Sequence, residues 1–184
     1  MEYLKLKSGN KIIGGNVRPG PGDYAPYYEN YIKLVEGEDI LKILNEQSKK
    51  TQDVLNSFSE HKGNYRYADG KWTVKEVVGH LLDTDRVFAY RALCIARGEK
   101  KTLPGFEQND YVSEGNFNRR DLFELNYEFR LLRESNLLLF RSFTPEMLKR
   151  RGFANETSVT VLAILFMIAG HEKHHMKVLH EKYI

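Results

Sequence analysis

Cysteine is nearly absent from this sequence, because Cys94 is the only one in 184 residues. A single cysteine excludes an internal disulfide and fits a reducing compartment better than secretion. Residues 1–5 also lack the apolar core of a signal peptide. We therefore expect a cytoplasmic protein whose fold is stabilised by packing and not by cross-links.

Long apolar runs and blocks of one charge are missing as well. The longest fully apolar run, residues 161–169, is much shorter than the roughly 20 residues that a membrane-spanning helix needs. Lysine and arginine number 28 against 25 aspartates and glutamates, and the net charge of +3 is spread along the chain. Without a basic cluster, nucleic-acid binding is not predicted. We expect a soluble protein that binds neither nucleic acid nor membrane.

Sustained helical periodicity is absent from residues 1–37, where glycine and proline recur. Residues 5–13 instead predict a short hairpin that turns at Gly9 and Asn10. The tyrosine-rich stretch 24–31 predicts an arm that packs on the rest of the protein, because its aromatic rings would otherwise be exposed to water. We therefore predict two parts, an N-terminal arm (1–37) and a helical domain (38–184).

The helical domain is defined by apolar residues at helical spacing. The pattern predicts four long helices, at about residues 39–58, 74–97, 119–142 and 159–182. Thr73 and Glu76 form a capping box at the start of the second helix, and Gly98 ends that helix. Ser158 is the expected N-cap of the last helix.

Residues 98–118 show no sustained period and connect the second and third predicted helices. A connection of this length inside a compact domain is often functional, and here it is expected to cover a cleft. The fold prediction is therefore an all-α four-helix bundle with a long crossover loop between helices 2 and 3 and an irregular N-terminal arm.

The most informative residues for function are two histidines near the end of the last predicted helix. His171 and His175 are four residues apart, which places both imidazoles on one helix face, close enough to share a divalent cation. His80, at the edge of the apolar stripe of the second helix, is the candidate for a third ligand. His174, three residues after His171, is a second candidate for the ligand on this helix, and the spacing alone does not decide between His174 and His175.

A rival interpretation uses the same residues, because 171–175 match the H-E-x-x-H signature of zinc metalloproteases, whose glutamate is the general base. Val178 stands where the metzincin form of that motif has glycine, and Glu181 stands where it has a third histidine. No strand pattern offers a sheet to line a peptide cleft. The protease is therefore kept only as a minor alternative. His61 and His180 are interpreted as ordinary solvated residues.

Several other side chains have more than one possible role. Glu172, Asp83 and Asp85 are candidate acceptors for ligand N–H groups or candidate bases, or else solvated helix charges, which is the interpretation favoured for Asp83. Arg91 is a candidate contact for an anionic substrate, or a member of a surface ion pair. Cys94 points away from the edge of the second predicted helix on which His80 lies, and it is not expected to be a nucleophile.

Two stretches carry a family resemblance. Residues 72–81 (WTVKEVVGHL) and 169–175 (AGHEKHH), separated by a long loop and a helix, resemble the DinB/YfiT superfamily of metalloenzymes. The resemblance covers about residues 38–184, and the tripeptide Pro104-Gly105-Phe106 and the aromatic arm are similar to a DinB-like subgroup. It implies a four-helix bundle, frequent dimerisation, and a nickel or zinc ion completed by water. The implied metal ligands are His80, His171 and His175.

The resemblance does not define a reaction, because members include transferases and isomerases that use low-molecular-weight thiols, proteins called hydrolases by analogy, and many without known activity. Three neutral imidazoles with open coordination positions are typical of a catalytic site, since structural zinc is closed by four protein ligands. We therefore expect a metal-dependent hydrolase or thiol-dependent transferase that acts on a small molecule as a homodimer. The alternative is a non-catalytic metal-binding or interaction protein.

Overall fold

The structure, a computed structural model, describes residues 17–184. The hairpin expected at residues 5–13 lies outside the described residues. The described chain forms α1 (Glu29–Ile32), α2 (Ile40–Asn56), α3 (Glu60–Gly63), α4 (Val74–Ala96), α5 (Gln108–Gly115), α6 (Leu122–Arg141), α7 (Pro145–Lys149) and α8 (Val161–Lys182), with strands β1 (Arg151–Ala154) and β2 (Thr157–Thr160) between α7 and α8.

The four long helices α2, α4, α6 and α8 form the bundle. Helix α4 packs against α6 and α8, and α2 packs against the same two helices from the other side. Each long helix turns an apolar face inward, and residues 163–169 of α8 are buried without interruption. The predicted all-α four-helix bundle is therefore confirmed. Among the described helices, none combines the length and apolarity needed to cross a membrane.

The capping box predicted at the start of α4 is present. Glu76 N–H donates to Thr73 Oγ1 at 3.1 Å, and Thr73 N–H donates to Glu76 Oε2 at 2.7 Å. Asn118, from the crossover, accepts from the Thr73 hydroxyl at 2.6 Å and donates to Glu76 Oε1 at 2.8 Å. Two free N–H groups of the helix end are thereby satisfied. The end of the crossover is attached at the point where α4 begins.

The last loop differs from the prediction. Strands β1 and β2 pair in antiparallel register around Asn155 and Glu156, which have φ values of 50° and 59°. Two consecutive left-handed residues match a tight hairpin turn. Ser158 pairs with Phe153 in the hairpin, so the expected Ser158 cap is wrong, and Thr160 Oγ1 instead accepts from Ala163 N–H at 3.2 Å. Strands of four residues are too short for periodicity to reveal them.

The crossover is more ordered than its sequence suggested, because it contains α5 and a short 3₁₀ turn, Phe117–Arg119. It is attached to the hairpin by two hydrogen bonds, since Leu103 N–H donates to Phe153 O and Asn155 N–H donates to Leu103 O, both at 2.9 Å. Arg91 of α4 donates to the Pro104 carbonyl at 2.6 Å. These bonds attach the start of the crossover near the C-terminal end of α4, whereas Asn118 attaches its end where α4 begins.

The tyrosine-rich segment packs on the last helix. Helix α1 lies against α8, and Lys173 donates to the Leu34 carbonyl at 3.0 Å. Arg18 donates to the carbonyls of Gly37 at 2.8 Å and Ile32 at 3.0 Å. The approach is so close that a Cβ at Gly170 would overlap the carbonyl oxygen of Tyr31. A glycine in the middle of α8 is therefore required by packing, although glycine is a poor helix former.

A buried polar cluster connects all four long helices. Arg133 of α6 donates to Glu172 Oε2 of α8 at 2.7 Å and to Asp85 Oδ2 of α4 at 3.3 Å. Thr51 of α2 donates to Glu172 Oε1 at 2.5 Å. Each of these four residues is at most 4% exposed. We name this group, Thr51, Asp85, Arg133 and Glu172, the Arg133 cluster.

Gly170→Ala should destabilise the protein by about 1–3 kcal/mol, because the added Cβ overlaps the Tyr31 carbonyl and forces the two segments apart. Helix propensity alone predicts the opposite sign, a gain of about 1 kcal/mol. Urea unfolding measures the difference. Gly20→Ala is the control, since a Cβ there meets nothing within 4 Å. A Gly170→Ala variant at least as stable as the native protein would disprove the contact.

Arg133→Met should lower the free energy of unfolding by about 3–5 kcal/mol, because it leaves two carboxylates buried without their cation. Arg130→Met is the matched control one helical turn away, because Arg130 is 42% exposed and lies 4.0 Å from Glu134. The control should change the unfolding free energy by no more than about 1 kcal/mol. Equal losses in the two variants, measured by chemical denaturation, would mean that the Arg133 cluster does not stabilise the bundle.

Candidate metal centre

Three histidines converge where α4 meets α8. His171 Nε2 lies 2.9 Å from His80 Nε2 and 3.1 Å from His175 Nε2. Taken together, one ring nitrogen from each of the three lies within 4.8 Å of the others. His80 and His171 are buried at 2% and 7% exposure, and His175 is half-buried. We name these three residues the histidine trio.

His80 and His171 each lie next to a glycine at which another segment packs closely on the helix backbone. His80 follows Gly79, where a Cβ would overlap the ring of Phe117, and His171 follows Gly170, where the Tyr31 backbone touches α8. The crossover and the N-terminal segment therefore both press against the helix backbone beside a histidine. Each glycine permits that approach, because it carries no side chain.

Aromatic rings enclose the trio. The Trp72 ring centroid lies 4.8 Å from that of His80 and 6.4 Å from that of His175. The Tyr31 ring lies edge-on to His171 at 5.5 Å. Thr84, one turn after His80 on α4, places its hydroxyl 3.5 Å from His80 Nδ1. These neighbours keep water away from the rings while leaving their Nε2 atoms turned toward one another.

Burial also determines the charge state of the trio. It lowers the pKa of His80 to about 4 and that of His175 to about 3, and it moves the pKa of His171 well below the ordinary 6.5. Repulsion from neighbouring imidazoles adds to each shift, and for His80 the neighbour is His174, which is not a member of the trio. All three rings are therefore neutral at pH 7. Neutral imidazole is the form that binds a metal ion.

The donor set fits a divalent ion. Nitrogen-to-metal bonds of roughly 2.0–2.1 Å place neighbouring ligand atoms about 3 Å apart, and the two separations here are 2.9 and 3.1 Å. In the described part of the chain, no fourth histidine, cysteine or carboxylate joins the group. The trio thus offers three candidate ligands and would leave coordination positions free on an ion bound there.

His174, the other histidine considered for the site, lies apart from the trio. Its ring centroid is 5.1 Å from that of His175 and 5.5 Å from that of Tyr31, and it is not part of the converging group of ring nitrogens. The structure therefore places His175 beside His80 and His171. His61 and His180 are both exposed.

The acidic residues named from the sequence lie in the Arg133 cluster or near the surface. Glu172 and Asp85 are 1% and 4% exposed, so they are not solvated charges. Glu172 accepts from Arg133 and Thr51, which occupies both carboxylate oxygens and argues against the protease role. Asp83 is partly buried and lies 3.6 Å from Arg86, and burial raises the pKa of the Asp83 carboxyl.

Sequence reasoning missed Arg133, although a signal was present. Arg133 lies one turn after Phe129 and one turn before Leu137, on the buried face of α6. A charged residue on an apolar stripe is informative, because buried charges need partners. The partners themselves lie on other helices, so the sequence could not identify them.

Arg91 is not a member of a surface ion pair among the described residues, so that alternative is wrong. It is 5% exposed and donates to the Pro104 carbonyl. Its guanidinium lies 5.7 Å from the centroid of the Phe88 ring and 5.8 Å from that of Phe106, which adds a cation–π contribution. Arg91 therefore attaches the crossover to α4. Cys94 is half-buried and lines none of the cavities beside the trio.

Two large cavities reach the trio. The first, of about 210 Å³, is lined by Tyr27, Tyr28, Tyr31, His80, Thr84, Phe88, Phe106, Glu107, Gln108 and His171. The second, of about 300 Å³, includes Tyr67, Lys71, Trp72, Gln108, Asn109, His174 and His175 in its lining. Gln108 of the crossover borders both cavities. The crossover therefore covers a cleft, as expected from its length.

Several known proteins resemble this chain in sequence or in fold. A curated Oceanobacillus iheyensis protein, named as a candidate metal-dependent hydrolase, is 22% identical over 147 residues, which cover 76% of this chain and 82% of that protein. YfiT from Bacillus subtilis, described as a candidate metal-dependent hydrolase with an unusual four-helix bundle topology, superposes with a TM-score of 0.70 and 19% identity over 91% of each chain.

A third likeness is to the mycothiol-dependent maleylpyruvate isomerase, with a TM-score of 0.65 and 11% identity over 79% of this chain and 61% of that one. At such low identities, the likeness to these solved structures concerns the fold. The model of the DinB superfamily matches residues 43–179, which include the whole trio and most of the bundle. The chain therefore belongs to the DinB superfamily.

Proposed function

We propose that this chain binds a divalent metal ion, nickel or zinc, through the Nε2 atoms of His80, His171 and His175. With that ion it acts on a small molecule, as a metal-dependent hydrolase or a thiol-dependent transferase. The observation that carries the proposal is the convergence of three neutral imidazoles, with ligand atoms 2.9 and 3.1 Å apart, beside an open cavity.

The type of donor supports both the choice of metal and a catalytic role. Imidazole suits zinc and nickel better than calcium or magnesium, which prefer oxygen. A site with only three protein ligands leaves room for water or substrate, as catalytic sites do. When bound there, a divalent ion supplies Lewis acidity and lowers the pKa of an adjacent water molecule or thiol.

The chain's own residues would bind and orient the substrate. The 210 Å³ cavity places the tyrosine and phenylalanine rings named above around an opening whose lining includes His80 and His171. The rings suit a small molecule with an aromatic body, and Thr84, Glu107 and Gln108 in the same lining offer it polar contacts. Trp72 and Tyr31 cover the trio and limit access of bulk water.

The presence of a second cavity beside the trio supports thiol-dependent transfer over hydrolysis. Transfer needs room for two organic molecules, whereas hydrolysis needs room for one and a water molecule. The second cavity, of about 300 Å³, reaches His175 and contains Lys71, Asn109 and Gln108, which suit a polar co-substrate. A structural neighbour is a mycothiol-dependent isomerase, and the same kind of co-substrate is proposed for this chain.

In the proposed domain organisation, the N-terminal arm (1–37) packs on the bundle and also contributes residues to the substrate cavity. Tyr27, Tyr28 and Tyr31 line the first cavity, and α1 packs on α8. The arm and the helical domain (38–184) would then form one substrate-binding unit.

His171→Ala should abolish strong binding of Zn²⁺ or Ni²⁺. The loss should exceed the roughly 10–100-fold effect of residues that only support a ligand, because one of three donors is removed. His80→Ala and His175→Ala should behave alike in a competition titration with a chromophoric chelator. His174→Ala is the control and should bind as the native protein does. Loss of binding in His174→Ala, with His175→Ala unaffected, would exchange these two residues in the proposal.

Chelation should lower the melting temperature modestly and leave helical circular dichroism intact, because the apolar faces of four long helices supply the core. Metal binding to the native state alone adds about 2.7 kcal/mol at a hundredfold excess over Kd. Any turnover found by screening low-molecular-weight thiols with electrophiles, or by screening hydrolytic substrates, should disappear. Loss of helical dichroism on chelation would instead indicate a structural site and favour the non-catalytic alternative.

A further inference from the structure

A small cavity lies between the histidine trio and the Arg133 cluster. Its volume is about 10 Å³, which is close to the minimum that holds one water molecule. Its polar lining consists of Thr84, Asp85, Arg133, His171 and Glu172. The cavity is therefore lined by one member of the trio and by three of the four residues of the Arg133 cluster.

Asp85 presents an unsatisfied oxygen in this region. Both donors of Arg133 that reach Asp85 contact Oδ2, at 3.3 Å. Oδ1 is buried, and within residues 17–184 it has no hydrogen-bond partner. A carboxylate oxygen removed from water without a partner is costly, and native proteins usually satisfy such atoms with protein groups or bound water. The small cavity that Asp85 lines offers room for such a partner.

Donors are available on the other walls of the cavity. His171 uses Nε2 toward His80 and His175, so Nδ1 is the ring nitrogen left for a second hydrogen bond. The hydroxyl of Thr84, which lies 3.5 Å from His80 Nδ1, belongs to a residue that lines the same cavity. Buried waters typically make two to four hydrogen bonds, and Asp85, His171 and Thr84 supply that number.

We propose that one water molecule binds in this cavity and bridges Asp85 Oδ1 to His171 Nδ1, with the Thr84 hydroxyl as its third contact. The water accepts from His171 Nδ1–H and donates to Asp85 Oδ1. Arg133 holds Oδ2 and so fixes the orientation of the Asp85 carboxylate. Asp85 is thus a positioning residue, which keeps the proton of His171 on Nδ1 and leaves Nε2 free. Its consequence for metal affinity rests on the function proposed above, whereas the water site does not.

Asp85→Asn tests the consequence for metal affinity. Because Arg133 needs an acceptor, the amide oxygen of the new asparagine should turn toward Arg133. The amide N–H₂ then faces the cavity, so the water meets a hydrogen-bond donor where Asp85 Oδ1 was an acceptor. The affinity for Zn²⁺ should fall roughly 10–100-fold, the effect typical of groups that orient a metal-binding histidine. Circular dichroism and urea unfolding establish that the variant is folded.

Asp83→Asn is the matched control, because it removes the same charge from the same helix at a residue that does not line the cavity. Its affinity for Zn²⁺ should stay within about twofold of the native value. Native affinity in a folded Asp85→Asn variant, or equal losses in the two variants, would overturn the positioning role.

Two measurements on the unmodified protein decide the water site even if Asp85→Asn does not fold. A high-resolution crystal structure should show one water within hydrogen-bonding distance of Asp85 Oδ1 and His171 Nδ1. Nitrogen-15 chemical shifts of the metal-free protein should show His171 protonated at Nδ1. An empty cavity, a protein partner for Oδ1, or protonation at Nε2 would overturn the proposal.

The two proposals fail in different ways. If the native protein binds neither Zn²⁺ nor Ni²⁺ while the water and the Nδ1 tautomer are present, the proposed function is wrong and the water site stands. If the metal binds but the cavity is empty, the proposed function stands and the water bridge is wrong.

Discussion

A guanidinium buried among four helices constrains this protein more than any other contact. Arg133 of α6 is held by Asp85 of α4 and Glu172 of α8, and Thr51 of α2 completes the cluster. Such a group is stable only when every member is in place, because a buried charge without its partner is costly. The cluster therefore defines the relative rotation of α4 and α8. Those are the two helices that carry the histidine trio.

The trio also depends on two segments outside the bundle. The crossover reaches α4 at Gly79, and the N-terminal segment reaches α8 at Gly170. Each contact lies one residue before a histidine and brings aromatic rings to the site. Burial, to which these segments contribute, lowers the histidine pKa values. The same packing thus shapes the cavities and keeps the imidazoles neutral, so the fold and the proposed chemistry share one cause.

Function within the DinB superfamily is decided by the surroundings of the site rather than by the bundle. Here those surroundings are the tyrosines of the first cavity, Lys71 and the amides of the second, and Gln108 between them. The two cavities differ in one respect, since the first contains neither lysine nor arginine in its lining and the second contains Lys71. The thiol-dependent transfer proposed above would use the two cavities for two different small molecules.

The sequence by itself determined the four long helices, the capping box at Thr73, and the position of His171 and His175 on one helix face, because helical periodicity, capping and i,i+4 spacing are local properties. The convergence of His80 with that pair was an expectation from its helix edge and from the family resemblance, and it depends on the packing of α4 against α8. The sequence did not determine the hairpin before α8, the partners of Arg133, or the roles of Arg91 and Asp85. Those depend on contacts between residues far apart in the chain, such as Arg133 with Asp85 and with Glu172. Only the tertiary structure brings such residues together, since no local pattern encodes which helix faces which.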